Sequence, residues 1–191
     1  MVADYKGYKP ALREEFSHAC GYCNIREPEL GGSEAFHIDH YQPKNKFPHL
    51  ICDYANLIYS CRYCNRFKGD YWPTLIEKLQ ARFILNPRAD NFKKHIDQSS
   101  FAWVGLTAKG KWTVLKLRLD SADLVRRRQD RSHIEKIIHR LEEILNQSQH
   151  GLNIAIQNNA EESVLRKFRQ DIAEQIDQIN VLRRKILGPL D

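Results

Sequence analysis

Two Cys-x-x-Cys pairs restrict the fold of this 191-residue chain more than any other feature. The pairs are Cys20–Cys23 and Cys61–Cys64, and 37 residues lie between them. Each pair turns tightly enough to point both sulfurs at one ion, and four thiolates complete the tetrahedral coordination of structural zinc. We expect the fifth cysteine, Cys52, to be a small buried hydrophobic residue. The pairs therefore predict a structural Zn²⁺ site with no open coordination position, and a folded unit inserted between them.

The composition is that of a globular protein, with 42% hydrophobic and 28% charged residues. No apolar run approaches about 18 residues and the N-terminal residues do not resemble a secretory signal, so we expect a cytoplasmic protein with no membrane partner. The net charge of +6 is concentrated in residues 81–131, which carry 12 basic and 5 acidic side chains. Such a basic segment suits a polyanionic partner such as nucleic acid.

Local patterns predict an α+β chain. Residues 35–41 (AFHIDHY) alternate in character and predict a strand. Residues 9–19 predict a short helix before the first cysteine pair, and residues 65–82 predict a helix that breaks at Pro73. A β-hairpin is predicted further along the chain, where residues 101–106 and 111–119 are rich in β-forming side chains.

The last third of the chain predicts two helices. Apolar residues from Ile134 to Leu145 are spaced at 4, 3 and 4 positions, and those from Leu165 to Ile186 recur every 3.5 positions on average. Gly151 and the polar stretch at residues 157–163 (QNNAEES) are expected to separate the two helices. The pattern predicts an antiparallel αα-hairpin that forms a core or an oligomer seam.

The inserted unit contains residue types that phosphodiester hydrolysis needs. Residues 37–44 (HIDHYQPK), 56–57 (NL) and 61–69 (CRYCNRFKG) supply oxygen ligands, histidine and positive charge. A hard divalent cation prefers oxygen ligands, and histidine is a natural general base near neutral pH. Asp39 and His40 are neighbours on a predicted strand, so their side chains point to opposite faces unless the strand bends.

This combination resembles the HNH, or ββα-metal, nuclease family over about residues 20–70. The resemblance implies an HNH core with four-cysteine zinc knuckles in a domain spanning residues 1–85. Residues 86–191 would then form a C-terminal region with the β-hairpin and the helical hairpin, used for DNA binding, partner binding or oligomerisation.

The resemblance also implies a role for each matched residue. His40 would be the general base, and Asp39 and Asn65 would bind the catalytic Mg²⁺ or Mn²⁺. Asn56 would bond backbone groups and hold a loop, while the four paired cysteines would hold the zinc. The basic residues expected to contact nucleic acid are Lys44, Arg66 and Lys68.

The implied function is a metal-dependent endonuclease that hydrolyses phosphodiester bonds in nucleic acid, with DNA favoured over RNA. The motifs resemble stand-alone bacterial HNH proteins, some of which occur in antiphage defence operons beside an ATPase, which leaves an antiviral defence role open. One alternative is a non-catalytic zinc module that binds nucleic acid or protein. Another is an effector whose helical hairpin docks to a partner that licenses cleavage, or to a second copy of the chain.

Overall fold

The computed structural model describes residues 4–188 and confirms a mixed fold of helices with two small antiparallel sheets. The strands are β1 (Phe36–His40), β2 (Leu57–Cys61), β3 (Ile96–Asp97) and β4 (Val104–Gly105). The α-helices are α1 (Lys9–Glu15), α2 (Arg62–Lys68), α3 (Leu75–Leu79), α4 (Phe92–His95), α5 (Ala108–Leu117), α6 (Ala122–Gln157) and α7 (Glu162–Leu187). Short 3₁₀ helices span Tyr5–Tyr8, Glu27–Leu30, Ser33–Ala35, Pro48–Leu50 and Tyr54–Asn56. Within this described part, no helix has both the length and the apolar character needed to cross a membrane.

The chain packs as two compact units, the first ending at Gln129 and the second beginning at Asp130. The boundary predicted between residues 85 and 86 divides the chain by function and not by packing, so it stays a prediction. The first unit contains both sheets and the main core, and the second contains most of α6 and all of α7.

The strand–strand–helix order β1–β2–α2 forms the centre of the first unit. Strands β1 and β2 pair antiparallel from Phe36 opposite Cys61 to His40 opposite Leu57. Every residue of β2 is buried, while β1 exposes His37. Helix α2 begins directly after β2, with Cys61 as its N-cap. The predicted helix over residues 65–82 is therefore two helices: Gly69, at a φ of 50°, ends α2, and α3 begins at Leu75.

The predicted strand over residues 111–119 is wrong, because most of this segment lies in helix α5. Thr107 caps the helix by accepting a hydrogen bond from the backbone N–H of Gly110. The buried positions Gly110, Val114 and Leu117 are three and four residues apart, which is a helical stripe. A Cβ atom at Gly110 would lie 1.8 Å from the carbonyl oxygen of His95, so this close approach requires glycine. The second sheet is formed instead by β3 and β4, immediately before α5.

The densest basic cluster, Arg126–Arg128, is partly structural. Arg128 is buried and donates to the carbonyl oxygens of Phe101 and Leu119 at 2.7 and 2.8 Å. Arg127 bonds the Asp123 carboxylate and the backbone carbonyl of Glu29. Of the three arginines, Arg126 keeps a largely exposed side chain.

The second unit confirms the predicted helical pair. Its core contains Ile138, Ile179 and Ile186. Arg183 of α7 bonds Glu142 of α6, and Gln175 of α7 bonds Ser148 of α6. The later residue of α7 contacts the earlier residue of α6, so the helices are antiparallel. The predicted separation falls within the polar stretch, at residues 158–161, and not at Gly151, because α6 continues to Gln157 and α7 begins at Glu162. Here the glycine makes room for the Phe168 ring, which lies 3.1 Å from where a Cβ atom would stand.

Candidate active site and metal centre

The four paired cysteines converge on one buried point beside the β1–β2 sheet. Their sulfur atoms all lie within 4.8 Å of one another. Cys20 and Cys23 lie on a tight turn that is closed by a hydrogen bond from the Cys20 N–H to the carbonyl of Ile25. Cys61 ends β2, and its sulfur accepts a bond from the backbone N–H of Cys64 in the first turn of α2.

The sulfur geometry fits a tetrahedral metal site. Zinc–sulfur bonds of about 2.3 Å place ligand sulfurs about 3.8 Å apart, and Cys23 Sγ lies 3.7 Å from Cys61 Sγ. Burial raises the pKa of the Cys23 thiol, so a bound cation must displace its proton. The cluster therefore forms a structural type of metal site, such as a zinc site. The prediction that Cys52 is buried is wrong: this cysteine is exposed and lies outside the cluster.

A pocket of about 560 Å³ lies along β1 and brings the predicted catalytic residues together. Its lining includes Asp39, His40 and Asn65, contributed by the end of β1 and the middle of α2. Both Asp39 and His40 line the pocket although they are neighbours on a strand. His40 is the last residue of β1, where the strand ends in a bend.

The hydrogen bond made by His40 determines which of its ring nitrogens can accept a proton. Nε2 lies 3.0 Å from the backbone carbonyl oxygen of Ile51, which can only accept, so Nε2 carries hydrogen. In neutral histidine Nδ1 is then the nitrogen with a free lone pair. Burial lowers the pKa of His40 below its ordinary value, which favours this neutral form. The ring of Tyr5 packs edge-on against the imidazole, with 4.7 Å between centroids, and holds its plane.

Asp39 is buried and held by two side chains. The Tyr22 hydroxyl donates to Oδ2 at 2.6 Å, and the Lys68 ammonium donates to Oδ1 at 3.0 Å. Burial raises the pKa of Asp39, and the charge of Lys68 opposes that shift. Burial, together with the neighbouring Asp39 carboxylate, raises the pKa of Tyr22 well above its ordinary value, so the phenol keeps the proton that it donates. Sequence reasoning missed Tyr22 and Tyr5, because neither belongs to the motif that points to His40 and Asp39.

The three basic residues expected to contact nucleic acid occupy different environments. Lys44 is exposed at the pocket, with its ammonium 5.7 Å from the centroid of the Tyr5 ring. Arg66 is exposed on α2 beside the ring of Phe67. Lys68 is instead buried, and its ammonium also donates to the His40 carbonyl oxygen at 2.7 Å. As placed, Lys68 therefore neutralises Asp39 and is not open to a phosphate. Two lysines that the motif did not indicate, Lys6 and Lys9, line the same pocket.

Asn56 closes the loop between β1 and β2. Its Oδ1 accepts from the Gln42 N–H at 2.8 Å, and its Nδ2 donates to the carbonyl oxygens of Gln42 and Leu50 at 3.0 and 3.4 Å. The side chain is buried, and it ties a residue just after β1 to a point eight residues further along the loop. This loop carries Lys44 and leads to Ile51, which accepts the His40 bond.

Replacing Asn56 by alanine is expected to lower the free energy of unfolding by about 1–3 kcal/mol, because the N–H of Gln42 would lose the acceptor that the buried Asn56 side chain supplies. Urea denaturation followed by circular dichroism would measure the change. Asn45→Ala is the matched control, since Asn45 lies in the same loop but is exposed and bonds the Asp70 side chain. We expect that variant to stay within about 0.5 kcal/mol of the wild type. Equal effects of the two substitutions would contradict the loop-closing function of Asn56.

The class of domain is defined by two paired strands that are followed by a helix. A pocket lies along the first of these strands, and the four-cysteine site lies beside the sheet. Residues 20–71 match the protein-family model described as HNH endonuclease, which confirms the resemblance seen in the motifs. The matched segment covers both cysteine pairs and the proposed catalytic residues.

A relative can also be named. The Septu protein PtuB of Bacillus thuringiensis is 33% identical to this chain over 115 residues, which cover 60% of this chain and 42% of that protein. The chain thus spans less than half of the length of this relative. No solved structure matches the chain.

Proposed function

We propose that this protein is a metal-dependent HNH endonuclease that hydrolyses phosphodiester bonds in nucleic acid, and that its substrate is DNA. The observation that carries the proposal is the convergence of Asp39, His40 and Asn65 on one pocket whose rim bears lysines. A non-catalytic zinc module needs the cysteine site but has no need for this set of side chains. The pocket therefore favours the enzyme over the binding module.

Asp39 and Asn65 would hold the catalytic Mg²⁺ or Mn²⁺. Their donor atoms fit such a cation, because a carboxylate and an amide supply oxygen ligands and each carboxylate oxygen has a second lone pair beside the one bonded by Tyr22 or Lys68. When bound, the cation would stabilise the charge that develops on the phosphate and on the leaving oxygen. The four-cysteine site would hold Zn²⁺ and serve only the fold.

The residues of the chain account for the remaining steps. His40 takes a proton from the attacking water on Nδ1, while the bond from Nε2 to Ile51 keeps the ring in the required tautomer and orientation. Tyr22 and Lys68 hold the Asp39 carboxylate in place. Lys6, Lys9 and Lys44 line the pocket and attract the negatively charged backbone of the substrate.

Plasmid cleavage by the purified full chain tests the proposal. Supercoiled DNA should be cut when Mg²⁺ or Mn²⁺ is added and should stay intact without the added cation. The matched control is Asn65→Asp, which keeps an oxygen ligand, against Asn65→Ala, which removes it. We expect cleavage to survive the first substitution better than the second. A zinc-loaded, folded protein that cuts neither DNA nor RNA with either cation would contradict autonomous nuclease activity.

A protein partner, such as an ATPase, and a role in antiphage defence remain parts of the same proposal. The supporting observation is the similarity to the Septu protein PtuB, together with the bacterial HNH proteins that the motifs resemble. If the isolated chain does not cleave DNA, adding a co-purified partner should restore cleavage. No cleavage with the partner present would favour the non-catalytic binding module.

A further inference from the structure

A second pocket, of about 370 Å³, lies in the first unit and is walled by aromatic side chains. This volume falls within the range of about 300–1,000 Å³ for small-molecule sites. Its lining consists of Tyr41, Lys68, Tyr71, Trp72, Pro73, Lys78, Phe83 and Ile84. The segment between α2 and α3 contributes three of these residues, and the turn after α3 contributes two.

The aromatic walls are anchored to the backbone. The Tyr41 hydroxyl donates to the Ile84 carbonyl oxygen at 2.7 Å, and the Tyr71 hydroxyl donates to the Arg82 carbonyl oxygen at 2.5 Å. The Trp72 ring packs edge-on against Tyr41, with 5.7 Å between centroids. A flat ligand would therefore meet aromatic walls that are already ordered, which lowers the entropy that binding costs.

Cations surround the aromatic walls. The Lys78 ammonium lies 5.3 Å from the Trp72 ring centroid and the Lys116 ammonium lies 5.1 Å from that of Tyr71. Further positive groups lie beside neighbouring rings, namely Lys109 over Phe83 and Arg82 over Trp112. The acidic groups facing this region are Glu77, which bonds the backbone of Thr74, and Asp90, which pairs with Lys109. The surroundings of the pocket thus carry an excess of positive charge.

The aromatic pocket adjoins the candidate active site, although the two pockets have no lining residue in common. Tyr41 directly follows His40 in the chain. Lys68 lines the aromatic pocket, and its ammonium bonds both the Asp39 carboxylate and the His40 carbonyl oxygen. A nucleotide bound here would therefore lie close to the phosphate at which His40 acts.

We propose that this aromatic pocket binds an unpaired nucleobase of the substrate strand, stacked on Trp72, next to the scissile phosphate. The inference rests on the proposed nuclease function and narrows its substrate to nucleic acid with at least one unstacked nucleotide near the cut. Aromatic faces combined with cations are the usual means of binding single strands, because every base has a π-face and every nucleotide has a phosphate. The exposed apolar side chains of α3 would by themselves suit a protein partner. They do not account for the positively charged side chains around the pocket.

A comparison of base-bearing and abasic strands tests the pocket. The probes are a short labelled single-stranded oligodeoxynucleotide and an abasic strand of equal length, with binding to the full chain measured by fluorescence anisotropy in buffer without added Mg²⁺. Trp72→Ala should weaken binding of the base-bearing strand by about 5- to 150-fold, the effect of losing one base-stacking contact. Binding of the abasic strand should stay unchanged. Trp72→Phe should restore most of the loss, and Phe101→Ala, an exposed aromatic residue outside the pocket, should have no effect.

A second measurement does not depend on how well the alanine variant folds. The base-bearing strand should quench the tryptophan fluorescence of the wild type, and this quenching should fall in Trp72→Phe, which keeps Trp103 and Trp112. Three results would overturn the pocket assignment: no weakening of the base-bearing strand by Trp72→Ala, equal weakening of both strands, or no base-dependent quenching. The first and the third are expected if the pocket takes a protein side chain. If the wild type still cuts plasmid DNA in that case, the nuclease proposal stands without the pocket. If it neither cuts nor binds any strand, both proposals fail.

Discussion

Replacing His40 by alanine should lower the rate of metal-dependent plasmid cleavage by about 10²–10⁴-fold, the usual contribution of a general base. The physical reason is the lone pair on Nδ1, which stays free because Nε2 makes the bond to the Ile51 carbonyl. Single-turnover cleavage with saturating protein would measure the chemical step without a contribution from binding. Added imidazole should recover part of the lost rate, because the substitution vacates the space between Tyr5 and the loop.

The matched control for this experiment is His139→Ala. His139 is largely exposed on α6 and pairs with a glutamate one turn away. This variant should cut at the wild-type rate, and both variants should keep their bound zinc and melting temperature. Cleavage by His40→Ala close to the wild-type rate would remove His40 from the mechanism. A loss of zinc in that variant would indicate instead that the histidine serves the fold.

Replacing Cys64 by serine should abolish metal binding at the four-cysteine site and unfold the first unit. Structural zinc contributes an apparent free energy of about 10–16 kcal/mol in zinc-finger peptides at neutral pH, which is as large as the total stability of about 5–15 kcal/mol of a typical domain. The four cysteines are buried at the junction of the first knuckle, β2 and α2, so loss of a metal held there separates the elements that carry the candidate active site. Metal analysis of the purified protein and thermal unfolding would measure both effects.

The fifth cysteine supplies the control. Cys52→Ser changes the same atoms at an exposed position outside the cluster and should keep one zinc per chain and the wild-type melting curve. Equal zinc content in Cys64→Ser and Cys52→Ser would contradict the metal site. A high-affinity zinc chelator should reproduce the unfolding of Cys64→Ser in the wild type, and re-addition of Zn²⁺ should reverse it.

Local patterns in the sequence predicted those features that depend on a short repeat or on ligands only a few residues apart. The cysteine spacing, the alternating strand at β1 and the 3.5-residue repeat of α7 each depend on residues close together in the chain. The same approach went wrong at residues 111–119. The β-forming side chains of this segment favoured a strand, and the prediction gave too little weight to the capping signal of Thr107. The segment forms a helix because a helix buries the stripe at Val114 and Leu117 against the rest of the unit.

The sequence by itself therefore determined the two cysteine pairs, the motif residues and the apolar stripes of the two long helices, because each is encoded by spacing within a short segment. Only the tertiary structure decided the surroundings of the candidate catalytic residues. Tyr22 reaches Asp39 across 17 positions of the chain and Lys68 reaches it across 29. The aromatic pocket likewise depends on Tyr41 and Ile84, which are 43 positions apart and joined by one hydrogen bond. Such contacts depend on how the segments pack, and no periodicity within a single segment encodes that packing.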